Sequence, residues 1–250
     1  MNGELYQACR IVSTAKKALE SQMELTFAPI EYENEIEFQC LSKEELYLAS
    51  SVEEWFGYCV KKGLQDVKIL IPTSVDDRSL LGFANASRSL IVCFYEGKVT
   101  YFTAYWEFSS EKKAWNILYT EYEWADAPPG KPRFDDETES FLRVLTKIKE
   151  LALNIECDGF ASVFQQAIDI LNGSSDYIDN ERDLPVPPIG EKQLRIFEAA
   201  SVADVFGAMG SWNDSPPYMA HTKGLSEEYE ELSDELLRQI RLAILYAINE

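Results

Sequence analysis

Alternation of side chains along residues 79–124 is the feature that most restricts how this chain can fold. Successive side chains of a β-strand point to opposite faces, so a period of two predicts strands. One such strand would place Val99, Tyr101, Thr103 and Tyr105 on one face and Phe102, Ala104, Trp106 and Phe108 on the other. Turns are predicted at 96–97 and 109–112. The pattern predicts three or four antiparallel strands in a meander.

Aromatic residues fall on both faces of this predicted sheet. Eleven of them lie between Phe94 and Trp124. We therefore expect helices to cover one face, while the other face stays partly exposed. An exposed aromatic face would be a candidate docking surface for a partner.

Helical spacing of apolar residues dominates outside this stretch. In the first half, the predicted helices are residues 3–21 and 52–62, and apolar runs predict short strands over 23–30, 35–40 and 67–71. In the second half, the predicted helices are roughly residues 141–155, 159–171, 191–209 and 226–249. Asp158 is the predicted N-cap of the second of these four.

A boundary between two parts of the chain is predicted at residues 125–136. Three prolines and one glycine interrupt regular structure there. We interpret residues 1–125 as an α+β subdomain and residues 126–250 as a mainly helical subdomain that shares its core. The predicted fold class is α+β, with an antiparallel, aromatic-rich sheet packed with helices and followed by a mainly helical C-terminal half.

The charge balance limits the choice of partner. The chain has 23 basic and 43 acidic residues, and its net charge of -20 makes the average surface repel phosphate backbones and anionic lipid headgroups. Direct binding to nucleic acid is not expected. The acidic surface could instead bind a basic protein partner, mimic nucleic acid, or keep the protein soluble.

Cysteine usage and the hydropathy pattern indicate a cytoplasmic protein. The five cysteines are widely spread and form no C-x-x-C pair, which is typical of reduced, mostly buried thiols. The sequence has no secretory signal and no apolar run of about 18 residues that could span a bilayer. We therefore expect no contact with a membrane.

The familiar catalytic and cofactor motifs are missing from the sequence. His221 is the single histidine, and a catalytic triad needs a base. There is no nucleophile elbow, phosphate-binding loop or zinc spacing. The densest acidic cluster is Asp176, Asp179, Glu181 and Asp183, which lacks the glycine of a calcium loop and is interpreted as a solvated loop. No metal and no cofactor is predicted, although the sequence does not decide whether carboxylates bind a divalent cation.

The segment Gly207-Ala208-Met209-Gly210-Ser211-Trp212-Asn213-Asp214 stands out most. Its glycines permit a sharp turn or a close approach of backbones. As structure, it would end a helix and bury Trp212 in the core, and this reading is favoured because tryptophan is usually largely buried. As a site, it would hold a small polar ligand through Trp212, Asn213, Asp214 and His221.

This segment and the aromatic stretch, with Leu81-Gly82-Phe83-Ala84-Asn85 and residues 106–124, resemble an uncharacterised family of bacterial cytoplasmic proteins. Members share a G-x-M-G-S-W-N-D stretch that is followed by an amphipathic helix with an acidic start. The resemblance implies a bacterial cytosolic origin. It implies no activity, cofactor or catalytic residue.

Two hypotheses for the function follow from these observations. The leading one is a non-enzymatic interaction or regulatory protein that docks a protein partner through an acidic or aromatic surface. The alternative is an enzyme or small-ligand binder with a site near residues 207–221, at the junction of the subdomains. The sequence leaves the oligomeric state open.

Overall fold

The computed structural model describes residues 1–42, 46–174 and 184–250. The predicted α+β class is confirmed. The strands are β1 (Glu33–Cys40), β2 (Tyr47–Ala49), β3 (Asp66–Leu70), β4 (Leu90–Tyr95), β5 (Lys98–Ser109) and β6 (Ala114–Glu123). The α-helices are α1 (Gly3–Ser21), α2 (Val52–Lys61), α3 (Thr138–Asn154), α4 (Asp158–Leu171), α5 (Glu191–Ala203), α6 (Pro216–Thr222) and α7 (Ser226–Asn249), and a 3₁₀ turn spans Arg78–Gly82.

The six described strands form one sheet in the order β2-β1-β6-β5-β4-β3. Strands β3, β4, β5 and β6 pair with their neighbours in sequence order, and each of these pairs is antiparallel. One pair departs from the antiparallel expectation, because β1 runs parallel to β6. Local sequence patterns cannot indicate this parallel pairing, because most of the first half of the chain lies between the two strands.

Helices α1 and α2 cover one face of the sheet. The Trp55 ring of α2 stacks on Phe38 of β1 with centroids 4.7 Å apart and meets Phe102 of β5 edge-on. From α1, Gln7 accepts a 2.8 Å hydrogen bond from the hydroxyl of Tyr119 in β6. One hydrophobic core runs from these contacts to the helices of the second half. The subdomain division at residue 125 stays a prediction.

The free edge of β3 is closed by the end of α7. The side-chain amide of Asn249 accepts from the Ile69 N–H at 2.9 Å and donates to the Ile69 carbonyl at 2.9 Å. This side chain therefore bonds to β3 as a neighbouring strand would. An open strand edge is a template for aggregation, and this contact removes part of it.

The predicted strand over residues 23–30 is wrong. Leu25 and Phe27 are buried two residues apart between exposed neighbours, but the next buried residue, Ile30, follows after three, and the segment has no partner strand. The backbone donors bond to carboxylates instead, since the Phe27 N–H donates to Glu53 at 2.8 Å and the Ile30 N–H donates to Glu33 at 2.9 Å. These carboxylates accept the hydrogen bonds that the carbonyl groups of a partner strand would otherwise accept.

Three further boundaries differ from the prediction. Helix α5 ends at Ala203, six residues before the predicted end, and the following segment folds back so that the Trp212 N–H donates to the Val205 carbonyl at 3.0 Å. Between the predicted helices 191–209 and 226–249, where no helix was predicted, the structure has α6, which starts at Pro216, a position where a helix tolerates proline. Asp158 is the first residue of α4 and not its cap, because Cys157 precedes the helix.

The cysteines are free thiols, as predicted. Cys9, Cys40, Cys59 and Cys93 are buried, while Cys157 is half-buried before α4. Burial raises the pKa of the Cys9, Cys40 and Cys93 thiols far above the ordinary value. Thiolates are the reactive form, so these three thiols should be inert in the folded protein.

We expect iodoacetamide to modify about one thiol per native chain, that of Cys157, because the other thiols lack access to solvent. Mass spectrometry of the intact chain and of its peptides measures this directly. Unfolding in guanidinium is the control and should expose all five thiols. Early modification of Cys40 or Cys59 in the native protein would contradict this burial pattern.

Candidate functional site

Trp212, the first of the predicted site residues, is a core residue. Its side chain has no exposed surface. The indole meets Phe160 and Phe164 nearly edge-on, and its Nε1–H donates to Ser233 Oγ at 2.8 Å. Burial raises the pKa of Tyr229 to about 12, so its hydroxyl keeps its proton and donates to the Trp212 carbonyl at 2.6 Å.

The side chains of Asn213, Asp214 and His221 each contact a different neighbour and do not converge on one position. The Asn213 amide donates to the Gly207 carbonyl at 3.2 Å, and the Asp214 carboxylate accepts from the Gly210 N–H at 2.8 Å. Both side chains therefore hold the turn of residues 207–214. His221 lies exposed at the end of α6, where its Nδ1 is 3.5 Å from Ser226 Oγ.

The two glycine-containing segments of the sequence meet in space. A Cβ atom on Gly82 would lie 2.8 Å from the Ala208 nitrogen and 2.9 Å from the Gly207 Cα. The backbones are in direct contact at a distance that a side chain would prevent. Gly82 belongs to the 3₁₀ turn of the first half, so this contact joins the halves beside the predicted site.

Two cavities flank this contact, and one charged side chain in each has partners within the protein. The first, about 310 Å³, has aromatic walls that include Trp106 and Trp115, and its Glu4 carboxylate accepts from two backbone N–H groups. The second, about 330 Å³, includes Asn213, and its Arg78 guanidinium pairs with Glu230 and Asp234. Each cavity has one buried donor without a partner among the described residues, Trp106 Nε1 in the first and Arg78 Nε in the second.

The face of the sheet opposite α1 and α2 is covered over β3 and β4. The chain that follows β6 crosses these strands, with Lys131 Nζ 3.2 Å from the Asp66 carboxylate and 5.9 Å from the centre of the Phe94 ring. Lys68 Nζ lies 5.9 Å from the centre of the Phe134 ring. This half of the face is therefore not available to a partner.

The same face is open over β1, β2, β5 and β6, and we call this region the open face. Its apolar residues are Leu48, Tyr101, Tyr105, Leu118, Tyr122 and, just after β6, Trp124. Tyr105 is 60% exposed, Leu48 51% and Tyr122 46%. Tyr101 stacks on Tyr122 with centroids 5.5 Å apart. The open face therefore presents an organised cluster of aromatic rings to solvent.

The charges on the open face are all of one sign. Glu35 and Glu37 of β1 and Glu107 of β5 share this face, and Glu35 and Glu107 are exposed. In these four strands, all of which the structure describes, no lysine or arginine points to this side. The rings are thus bordered by carboxylates, and no basic residue of these four strands accompanies them.

Comparison of the chain with protein-family models, curated proteins and solved structures gives no match. The resemblance to the G-x-M-G-S-W-N-D family stays a prediction, as does a cytoplasmic location. None of the described helices has the length and apolar character that a membrane span needs. In the described ranges no three histidine, cysteine or carboxylate side chains converge on a metal position. The cluster Asp176, Asp179, Glu181 and Asp183 lies outside those ranges.

Proposed function

We propose that this protein is a non-enzymatic interaction protein that docks a basic segment of a protein partner onto its open face. The observation that carries the proposal is the combination of exposed rings with carboxylates alone. Tyrosine and tryptophan are the side chains that contribute most to protein interfaces. Lysine and arginine side chains bind both to ring faces and to carboxylates, so a basic segment fits both features.

The charge of the open face argues against nucleic acid as the occupant. Single-stranded nucleic acids stack their bases on aromatic residues of open sheets, but such sites are basic because they must neutralise phosphates. Glu35, Glu37 and Glu107 would repel a phosphate backbone, as would the net charge of -20. A protein segment rich in lysine or arginine meets no such penalty.

The alternative of an enzyme or small-ligand site at residues 207–221 has less support. Trp212 is enclosed by other rings and has no surface to offer a ligand. The polar atoms of Asn213 and Asp214 bond to the turn that carries them. A ligand at this position would have to displace those bonds.

We expect the double variant Tyr105→Ser/Tyr122→Ser to reduce partner binding to about one-tenth or less, because it removes two exposed rings from the centre of the interface. The measurement is capture from native cytosol on the immobilised wild type and variant, followed by mass spectrometry at low and moderate salt. Raising the salt should weaken capture, since the attraction is partly between charges.

Tyr218→Ser is the matched control, because Tyr218 is 68% exposed on α6, away from the open face. It should leave capture unchanged. The supporting result is a basic protein bound by the wild type and the control but lost from the double variant. The proposal fails if the double variant captures the same proteins as the wild type, or if a small molecule copurifies and no protein partner is recovered.

A further inference from the structure

A large cleft opens at one end of the sheet, on the face covered by α1 and α2. It begins where α2 ends, has a volume of about 690 Å³, and lies within the size range of small-molecule sites. Tyr95, Thr100 and Glu121 line it from β4, β5 and β6, and Lys62, Lys98 and Glu123 are also among its lining residues. We call it the sheet-end cleft. It lies on the opposite side of the sheet from the open face.

Thr100 gives this cleft a buried hydroxyl without a partner. The residue is 1% exposed, and its Oγ1 has no hydrogen bond anywhere in residues 1–42, 46–174 and 184–250. Buried polar side chains nearly always have a partner, so this hydroxyl is available to a water or to an occupant of the cleft. A threonine hydroxyl can both donate and accept.

The Tyr95 hydroxyl lies in the same wall, within hydrogen-bonding range of the Cys59 and Cys93 thiols. It is buried and forms no well-aligned hydrogen bond within the described chain. Burial raises the pKa of Tyr95 far above the ordinary value, and the neighbouring thiols of Cys93 and Cys59 and the Glu121 carboxylate add to this shift. The hydroxyl therefore keeps its proton beside Glu121.

Glu121 supplies a buried carboxylate that has no ion-pair partner among the described residues. It is 5% exposed and accepts one hydrogen bond, at 2.6 Å, from the Leu41 N–H. It forms no ion pair with any residue that the structure describes. A buried carboxylate is costly unless a cation or several donors satisfy it, so Glu121 favours a positively charged occupant.

The lysines of the cleft have partners other than Glu121. Lys62 Nζ donates to the Leu41 carbonyl and lies 4.3 Å from the centre of the Tyr58 ring. Lys98 Nζ is 3.6 Å from the Glu123 carboxylate. Neither ammonium group neutralises Glu121, and Glu96 adds a further carboxylate to the lining.

We propose that the sheet-end cleft binds a small aliphatic amine in its ammonium form. Glu121 would accept hydrogen bonds from the ammonium group as its counter-ion, and the Thr100 hydroxyl would accept another. A charge-assisted hydrogen bond in a partly desolvated cleft is stronger than one between neutral groups. This inference is independent of docking on the open face.

The test uses the full chain and two probes of matched shape, 1,4-diaminobutane and 1,4-butanediol. Chemical-shift titration should show the diamine perturbing the amides of Thr100 and Glu121, with millimolar affinity as expected for so few atoms, while the diol leaves them unchanged. Glu121→Gln should weaken diamine binding by about tenfold or more, and Thr100→Val by a few-fold.

Both variants are nearly isosteric, and glutamine can still accept from the Leu41 N–H, so the fold should persist and is checked by circular dichroism. Glu107→Gln is the matched control, since it removes a carboxylate from the opposite side of the sheet. Equal perturbation by the diol, unchanged diamine affinity in Glu121→Gln, or no perturbation by the diamine would each overturn the proposal. Docking on the open face should be the same in Glu121→Gln as in wild type.

Discussion

Replacement of Trp212 with alanine is expected to lower the free energy of unfolding by about 3–5 kcal/mol, the range for removing a large buried aromatic side chain. The indole fills the space between Phe160, Phe164 and Tyr229, with ring centroids 5.1–5.4 Å away. Its loss also leaves the Ser233 hydroxyl without its donor. Because a domain is stable by only about 5–15 kcal/mol, this loss is a large fraction of the total.

Urea unfolding followed by circular dichroism measures this effect. Trp212→Phe is the control, because it keeps a ring among the three neighbours and loses the hydrogen bond to Ser233, so it should cost clearly less than alanine. Asp214→Asn, at the exposed end of the same segment, should change stability by less than about 0.5 kcal/mol. A cost below about 1 kcal/mol for Trp212→Ala would show that this residue is not the core anchor described above.

Glu33→Gln is expected to destabilise the fold by about 3–5 kcal/mol, because it leaves the Arg10 guanidinium buried without its counter-ion. The two side chains are 4% and 0% exposed, and Arg10 Nη1 is 3.4 Å from both Glu33 oxygens. Glutamine can still accept from the Ile30 N–H, as Glu33 does at 2.9 Å. The variant therefore isolates the loss of charge.

The double variant Arg10→Met/Glu33→Leu removes both charges and should recover most of the stability lost in Glu33→Gln, since a buried pair can often be replaced by apolar residues. Glu123→Gln tests an exposed pair, with Lys98, and should cost less than about 1 kcal/mol. Denaturant melts of the three variants give the comparison. If Glu33→Gln costs no more than Glu123→Gln, the buried pair is not a constraint on this fold.

Local patterns were enough to predict the parts of the fold that depend on near neighbours in sequence. The alternation from Val99 to Phe108 identified β5 and assigned its two faces correctly, because each strand side chain points opposite to the next. The apolar stripe of α7 predicted that helix to the residue, Ser226–Asn249. The burial of Trp212 followed from its size and its glycine-flanked position.

Features made by distant segments could not be predicted in this way. The parallel pairing of β1 with β6 depends on how the whole chain returns to the sheet. Leu25 and Phe27 alternate with exposed neighbours as in a strand, but Glu53 and Glu33 accept from the Phe27 and Ile30 N–H groups in place of a partner strand. The sheet-end cleft was missed because Thr100 and Glu121 look like ordinary strand residues in sequence. In the described chain Thr100 has a buried hydroxyl without a partner and Glu121 a buried carboxylate without an ion pair, and both features are visible only in the folded structure.

The closure of β3 by Asn249 has a consequence for the order in which the chain folds during synthesis. Asn249 lies 180 residues after Ile69, and β1 finds its parallel neighbour β6 only after some 80 further residues have been added. Strands β1 and β3 therefore each lack a neighbour on one side until later segments have been synthesised. A nascent chain exposes these unpaired strand edges for most of its emergence from the ribosome. Protection by chaperones should matter most in that interval.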